Sequence, residues 1–241
     1  MSKKEYALSP SQPYQFVVTG GSSGLGFAII KALQEAFDDA TVINIDKTLG
    51  DDVTTPSFNW HDSFDRPVDV VINCAGINNN QWFEDIDPDS FFNVMATNAY
   101  SIVAVTQQFM DNLKESDVKL VINIVSNAAH IPMTSSLSYN ASKAAALMIS
   151  RQMAHELTPK YGITVMSISP NKLEGTGMSK QIEANVCETR GWTPEYAAEY
   201  QKKALMHGLE TDVDAIADYI VGILLSGGYK YLSGCDVPFG K

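Results

Sequence analysis

"QFVVTGGSSGLG", Gln15 to Gly26, decides the fold. Its first residues are apolar and β-prone and end at Gly20. The segment Gly24–Phe37 then carries Leu25, Ala28, Ile29, Ala32 and Leu33 at helical spacing. Strand, sharp turn and helix in direct succession make a βα unit. Gly20, Gly24 and Gly26 stand where the chain must turn and where a phosphate can approach the backbone closely. The helix N-terminus adds free N–H groups and a positive dipole end. In that context the glycines predict a dinucleotide-binding turn over a plain surface loop.

The same alternation continues outward. "TVINID" (Thr41–Asp46), "VDVVINCAG" (Val68–Gly76), "VKLVINIVS" (Val118–Ser126) and "ITVMSISP" (Ile163–Pro170) are nearly continuous Val/Ile runs. Such runs imply strands buried on both faces, as in a parallel sheet covered by helices. The predicted fold is a Rossmann-like, doubly wound α/β sheet with helices on both faces. It forms a single domain over 15–241, behind a polar N-terminal arm, 1–14. Asp87-Pro88-Asp89 opens a helix running to about Leu113. Ser138 or a near neighbour opens the next, which Thr158-Pro159 and Gly162 close. Thr193-Pro194-Glu195 opens a shorter one, and Thr211 or Asp212 caps the last. Only 21 residues separate Asp46 from Val68. They leave room for a strand through Ser57–Trp60 with loops or single turns around it.

Composition narrows the function. The 241 residues carry a net charge of −11, which argues against nucleic acid and anionic membrane surfaces as partners. No apolar run approaches the roughly 20 residues of a membrane span, and the first 15 residues contain no signal-like apolar stretch. Cys74, Cys187 and Cys235 are too sparse for a disulfide framework, and neither they nor the four histidines have metal-ligand spacing. No metal is expected, and a reducing cytoplasm fits best.

Asp46 ends the second strand, 26 residues past Gly20. A carboxylate there accepts bonds from ribose hydroxyls and repels a 2′-phosphate, favouring NAD; Lys47 beside it keeps NADP open. Further along, "SYNASKAAAL" (Ser138–Leu147) sets Tyr139 and Lys143 four residues apart, on one helix face. An ammonium nearby lowers a phenol's pKa and makes Tyr139 a candidate general acid and base. The small residues around the pair let the helix pack closely.

With these pieces in order, the chain resembles the short-chain dehydrogenases/reductases over about residues 15–240. "TGGSSGLG" matches the TGxxxGxG turn, "NCAG" (Asn73–Gly76) matches NNAG, and "YNASK" matches YxxxK. Asn98 lies in the long central helix, and Ser126 stands 13 residues before Tyr139, the family spacing. The resemblance implies hydride transfer between nicotinamide and a secondary alcohol or ketone. Ser126 would hold the substrate oxygen, Tyr139 transfer the proton and Lys143 bind the nicotinamide ribose. Asn98 would hold a water leading from Lys143 to solvent. Cofactor contacts are expected from Gly20, Ser22, Ser23, Gly24, Leu25, Gly26, Asp46, Asn73, Ala75, Gly76, Tyr139, Lys143, Pro170 and Leu173. Cys74 fills the second Asn position of NNAG, and no redox role is expected for it. Asp62 and Asp52 are rival adenine contacts.

The pattern departs from the family after Pro170. "SPNKLEGTGM" has Asn171 for the family glycine, and Thr176 comes one place late. Asn127, His130, Met133, Trp82 and Phe83 are candidate substrate walls, with Met178–Met206, including Trp192 and Tyr196, as a lid. The resemblance also implies a homotetramer built on the long central helices and the terminal strand in "YLSGCDVPFG" (Tyr231–Gly240). Two other functions compete: a catalytically silent dinucleotide sensor, which would typically lack the tyrosine or lysine, and a sugar-nucleotide epimerase, which needs a larger C-terminal region.

Overall fold

The structure, a computed structural model, describes residues 6–55, 66–205 and 207–240. The strand expected through Ser57–Trp60, the candidate Asp62 and the lid residue Met206 lie outside these described residues.

Six strands form one parallel sheet: β1 (Gln15–Thr19), β2 (Thr41–Ile45), β3 (Val70–Asn73), β4 (Leu120–Ile124), β5 (Thr164–Pro170) and β6 (Asp236–Phe239). Their order is β2-β1-β3-β4-β5-β6. Order reverses at β1, so the crevice outside the carboxyl ends of β1 and β3 is the natural ligand site of such a sheet. The residues of β1, β3, β4 and β5 are all buried, as their continuous apolar runs require. Strand β6 is the edge beside β5 and is only partly buried. Pro238 is tolerated in such an edge strand, where a missing N–H costs least.

Helix α1 (Gly24–Ala36) covers one face, and there Leu25, Ile29 and Leu33 pack with Phe16, Ile72 and Ile122. The opposite face buries Val17, Val71, Val121 and Val165 against Phe109 and Leu113. The helix expected from Asp87 to about Leu113 is instead three segments with a wide turn inside. Asp87 caps α2 (Pro88–Met95), its carboxylate accepting from Ser90 N at 2.9 Å. A π-helical turn, Ala96–Tyr100, follows, and then α3 (Ser101–Gln108). The chain breaks helical geometry at Phe109, which is buried, before α4 (Met110–Glu115).

Helix α5 (Leu137–Tyr161) begins one residue ahead of Ser138 and runs through Pro159. Gly162 alone closes it, at φ 71°. A proline in the last turn removes one i→i−4 bond near an end that frays anyway, so it does not stop the helix. Two further helices, α6 (Gly177–Arg190) and α7 (Pro194–Ala204), form a hairpin turned at Gly191. Thr193 caps α7, accepting from Tyr196 N at 3.3 Å. Asp212, not Thr211, caps α8 (Val213–Ser226), accepting from Asp214 N at 2.9 Å. Helix α8 lies against α1, its Ile216, Ile220 and Leu224 in the same apolar layer. The described part of the arm docks on this layer: Leu8 and Tyr14 are buried in it, and Leu8 N donates to Leu224 O at 3.1 Å. Among the described residues, no helix is long and apolar enough to cross a membrane.

Candidate active site

The glycine turn is built for close approach. Gly20 has φ 71°, and a Cβ there would lie 2.9 Å from Ala75 Cα, so the turn and the NCAG segment touch through bare backbone. A Cβ at Gly26 would stand 2.2 Å from Gly20 O, which lets α1 start directly on the turn. Thr19 clasps the two segments: its hydroxyl accepts from Cys74 N and Ala75 N, both at 2.9 Å. Ser23 sits at the N-cap of α1 yet makes no side-chain cap bond. The first N–H groups of α1 therefore face the crevice without a side-chain acceptor, as a pyrophosphate requires. Ser22 and Ser23 are exposed, whereas the Leu25 side chain is buried in the core and offers only its backbone.

Asn44 and Asp46 brace the turn from β2. Asn44 Oδ1 accepts from Gly21 N at 2.9 Å, and its Nδ2 donates to Ser22 Oγ at 3.2 Å. Asp46 accepts from Ser22 N at 3.0 Å, Thr48 N at 2.9 Å and Thr48 Oγ1 at 2.8 Å. Burial pushes its pKa up, but these bonds together outweigh that, and the carboxyl lies below its ordinary range. Lys47, which would favour a 2′-phosphate, is paired with Asp52 at 3.5 Å. That pairing and bonds to Thr54 occupy the Asp52 carboxylate. The residues present thus fit a dinucleotide: donors for its phosphates, a carboxylate for its ribose and a backbone cradle that side chains would fill.

Ser126, Tyr139 and Lys143 come together at the carboxyl edge of β4. Ser126 follows β4, and its hydroxyl stands close enough to the Tyr139 phenol to favour the phenolate. The same Oγ accepts from Ala128 N at 3.1 Å, at the start of the turn Asn127–Ala129. Lys143 is buried, with Nζ 5.9 Å from the Tyr139 ring centroid. Nζ donates to Ile124 O at 3.0 Å. Burial raises the Tyr139 pKa above the usual phenol value, and the Ser126 hydroxyl only partly offsets it. The lowering expected from Lys143 is therefore corrected. Burial also disfavours the ammonium, whose pKa falls to about 8. Neighbouring Cys74 is a protonated thiol, pushed up to about 12 by the same desolvation.

Asn98 is buried in the π-helical turn and is fully engaged. Its Oδ1 accepts from Ile77 N, and its Nδ2 donates to Ile77 O, both at 2.8 Å. Nδ2 also donates to Ser142 Oγ at 2.9 Å, and Ser142 donates onward to Tyr139 O at 2.8 Å. Asn98 thus fixes the segment after Gly76 against the helix that carries Tyr139. Ser142 was missed in the sequence, though it stands inside "YNASK", three residues from Tyr139. Gly76 gives these groups room: a Cβ there would lie 3.4 Å from Asn98 Oδ1 and 3.6 Å from Lys143 Nζ.

Three predicted contacts are placed differently. Asn73 is buried and turns its amide into the sheet, where Nδ2 donates to Asn123 Oδ1 at 2.8 Å and Thr106 Oγ1 at 3.3 Å. Asn123 in turn donates to Ser150 Oγ at 2.9 Å. Leu173 packs on the α1/α8 layer and bridges to Thr211. Pro170 is the buried last residue of β5 and pairs with Phe239. The loop after it differs from the family pattern for a physical reason. Asn171 Oδ1 accepts from Lys172 N at 2.9 Å, and Thr176 serves as N-cap of α6, accepting from Ser179 N at 3.1 Å. Among the candidate walls, His130 points its Nε2 at Asp236 Oδ2, 2.9 Å away, in a cluster with Ser167 and Ser169. Trp82 Nε1 donates to Thr189 O at 2.8 Å, joining the loop after β3 to α6.

Comparison with known proteins agrees with this fold. The family model for short chain dehydrogenase matches residues 33–186. An acetoacetyl-CoA reductase of Rhizobium meliloti (strain 1021) is 28% identical over 193 residues, covering 72% of this chain and 79% of the relative. A sorbitol-6-phosphate 2-dehydrogenase of Klebsiella pneumoniae is 25% identical over 248 residues, covering 90% and 91%. A solved structure of a putative NAD(P) dependent gluconate 5-dehydrogenase from Beutenbergia cavernae, with bound NADP, superposes with a TM-score of 0.81. It is 19% identical and covers 97% of this chain and 96% of its own, so it speaks to the fold alone. With the matched model spanning most of the sheet and the Ser126–Tyr139–Lys143 cluster inside it, the chain belongs to the short-chain dehydrogenase/reductase family of oxidoreductases.

Proposed function

We propose that this protein interconverts a secondary alcohol and a ketone, with Tyr139 as general acid and base. The observation that carries the reading is the buried Lys143 ammonium 5.9 Å from the Tyr139 ring, with the Ser126 hydroxyl beside that phenol at the crevice edge of β4. When bound, a nicotinamide dinucleotide supplies or accepts the hydride. Ser126 orients the substrate oxygen. Tyr139 donates its proton to that oxygen in reduction and takes it back in oxidation. Lys143 spends one donor on Ile124 O and has others for the nicotinamide ribose near Gly76. Asn98 holds the Ile77 segment and, through Ser142, the backbone of Tyr139.

NAD is the cofactor we favour. Asp46 is held ionised at the tip of β2, and Lys47 is engaged by Asp52. Titration with NADH and NADPH, followed by a panel of alcohols and ketones read by NADH absorbance, tests both parts. Tyr139→Phe is expected to bind NADH as before and to lose about a thousandfold or more in turnover. A variant that turns over normally removes Tyr139 from the proton step. Asp46→Ala is expected to shift the NADH-to-NADPH affinity ratio about tenfold toward NADPH. An unchanged ratio removes Asp46 from cofactor choice.

A further inference from the structure

Lys172 has no role in the proton chemistry, yet its side chain is only 13% exposed. Its ammonium meets three partners on three different elements. It bonds Glu183 Oε1 of α6 at 2.5 Å, Gln201 Oε1 of α7 at 2.5 Å, and Glu210 in the segment before α8. Lys172 itself lies two residues past β5, in the loop that runs to the α6 cap. That loop passes near the glycine turn: a Cβ added at Gly24 would meet Thr176 Cγ2 at 3.5 Å. The Ser179 hydroxyl donates to Leu173 O and ties the loop to α6.

The far end of α6 is pinned across the crevice. Trp82 Nε1 bonds Thr189 O at 2.8 Å, Arg190 Nε donates to Ser135 Oγ at 3.2 Å, and Arg190 also bonds Thr134 O. Thr134 and Ser135 lie just before α5, the helix of Tyr139 and Lys143. The α6–α7 hairpin therefore spans from the loop after β5 to the approach of α5. Beside the clasp is a half-open pocket of about 290 Å³ lined by Glu183, Gln201, Lys202 and Glu210.

We infer that Lys172 is a positioning residue: its ammonium clasps both hairpin helices to the loop after β5, so the hairpin and the loop beside the glycine turn hold their places together. The charges give the clasp its direction. Glu183 and Glu210 approach each other only because one cation sits between them. Without it two carboxylates face each other at short range and push α6 away from the Glu210 segment. A long flexible lysine also reaches three acceptors that a shorter side chain could not.

The experiment compares hydrogen exchange and NADH binding in the full chain for Lys172→Met, Lys172→Arg and Lys172→Met combined with Glu183→Gln and Glu210→Gln. In Lys172→Met, exchange over 177–204 is expected to rise about tenfold while α5 stays protected. NADH affinity should fall several-fold. Arginine should keep most of both properties, and the triple variant should recover part of the protection because the repulsion is gone. Unchanged exchange in the hairpin, or a rise spread evenly over the sheet, overturns the clasp. So does a triple variant no better protected than Lys172→Met. The cofactor readout rests on the dinucleotide reading above, whereas the exchange readout does not. A wild-type chain that binds no NADH would sink that reading and leave hairpin exchange to judge Lys172.

Discussion

Lys143 is held at a cost. Burial pulls its pKa from 10.5 to about 8, so at neutral pH the fold carries an ammonium it disfavours. Between about pH 8 and 10.5 the unfolded chain keeps that proton while the folded one sheds it. Stability is therefore expected to rise with pH across this window. Lys143→Met should remove the penalty, stabilising the protein at pH 7 by up to roughly 3 kcal/mol while abolishing turnover. Urea unfolding of the two proteins at pH 7 and pH 10 checks both signs. A destabilised variant at pH 7 would show that the bond to Ile124 O outweighs desolvation. The residue types at this site were readable from spacing alone, because Tyr139 and Lys143 must share a helical face. Their electrostatics were not. The sign of the Tyr139 shift depends on how much water the fold removes from the phenol, and no spacing rule carries that quantity. Asn73 was misplaced for a related reason: its amide had two faces of the sheet to choose from, and Asn123 waits on only one.

The βα unit at the N-terminal side of the sheet was the most legible element, since its glycines answer to local backbone geometry. Gly26→Ala tests that geometry. The added methyl would sit 2.2 Å from Gly20 O, and backbone there has no rotamer to yield. The change is expected to cost about 1–3 kcal/mol of stability and to weaken NADH binding. Thermal melts with and without NADH measure both; a full-strength, stable variant would mean the turn can open. Other elements were less legible. The chain between Asp87 and Leu113 reads as one amphipathic helix, because a π-helical turn keeps the apolar side roughly in line. The bonds of Asn98 to Ile77 and Ser142 anchor the turn, and those partners are 21 and 44 residues away. Pro159 signals a helix end, yet close packing of α5 over β5 carries the helix on to Gly162. Helix α6 is hard to read because its sequence is mostly polar and its cap, Thr176, attracts notice only as a departure from the family pattern.

At the scale of the molecule, apolar side chains stand exposed on two neighbouring helices. Phe92 and Tyr100 on the α2 side, with Leu137 and Met148 on the neighbouring α5, are exposed. For a chain of net charge −11, such a patch on long packed helices supports self-association, the homo-oligomer that the family resemblance implies. Met148→Asp, with its side chain 60% exposed here, is expected to halve the mass seen by light scattering without unfolding the protein. A wild-type chain that runs as a monomer removes that proposal. The sheet itself carries a different lesson. Strands β2, β3 and β4 each contain Val-Ile-Asn, and in β3 and β4, which are buried on both faces, the aliphatic residues would fit almost as well one notch along. The carboxamide ladder from Asn73 to Asn123 and Ser150 breaks that degeneracy. A slipped pairing would cost the Asn73 and Asn123 amides these buried bonds, so the ladder ties the register of β3 to that of β4 and seats α5 on both.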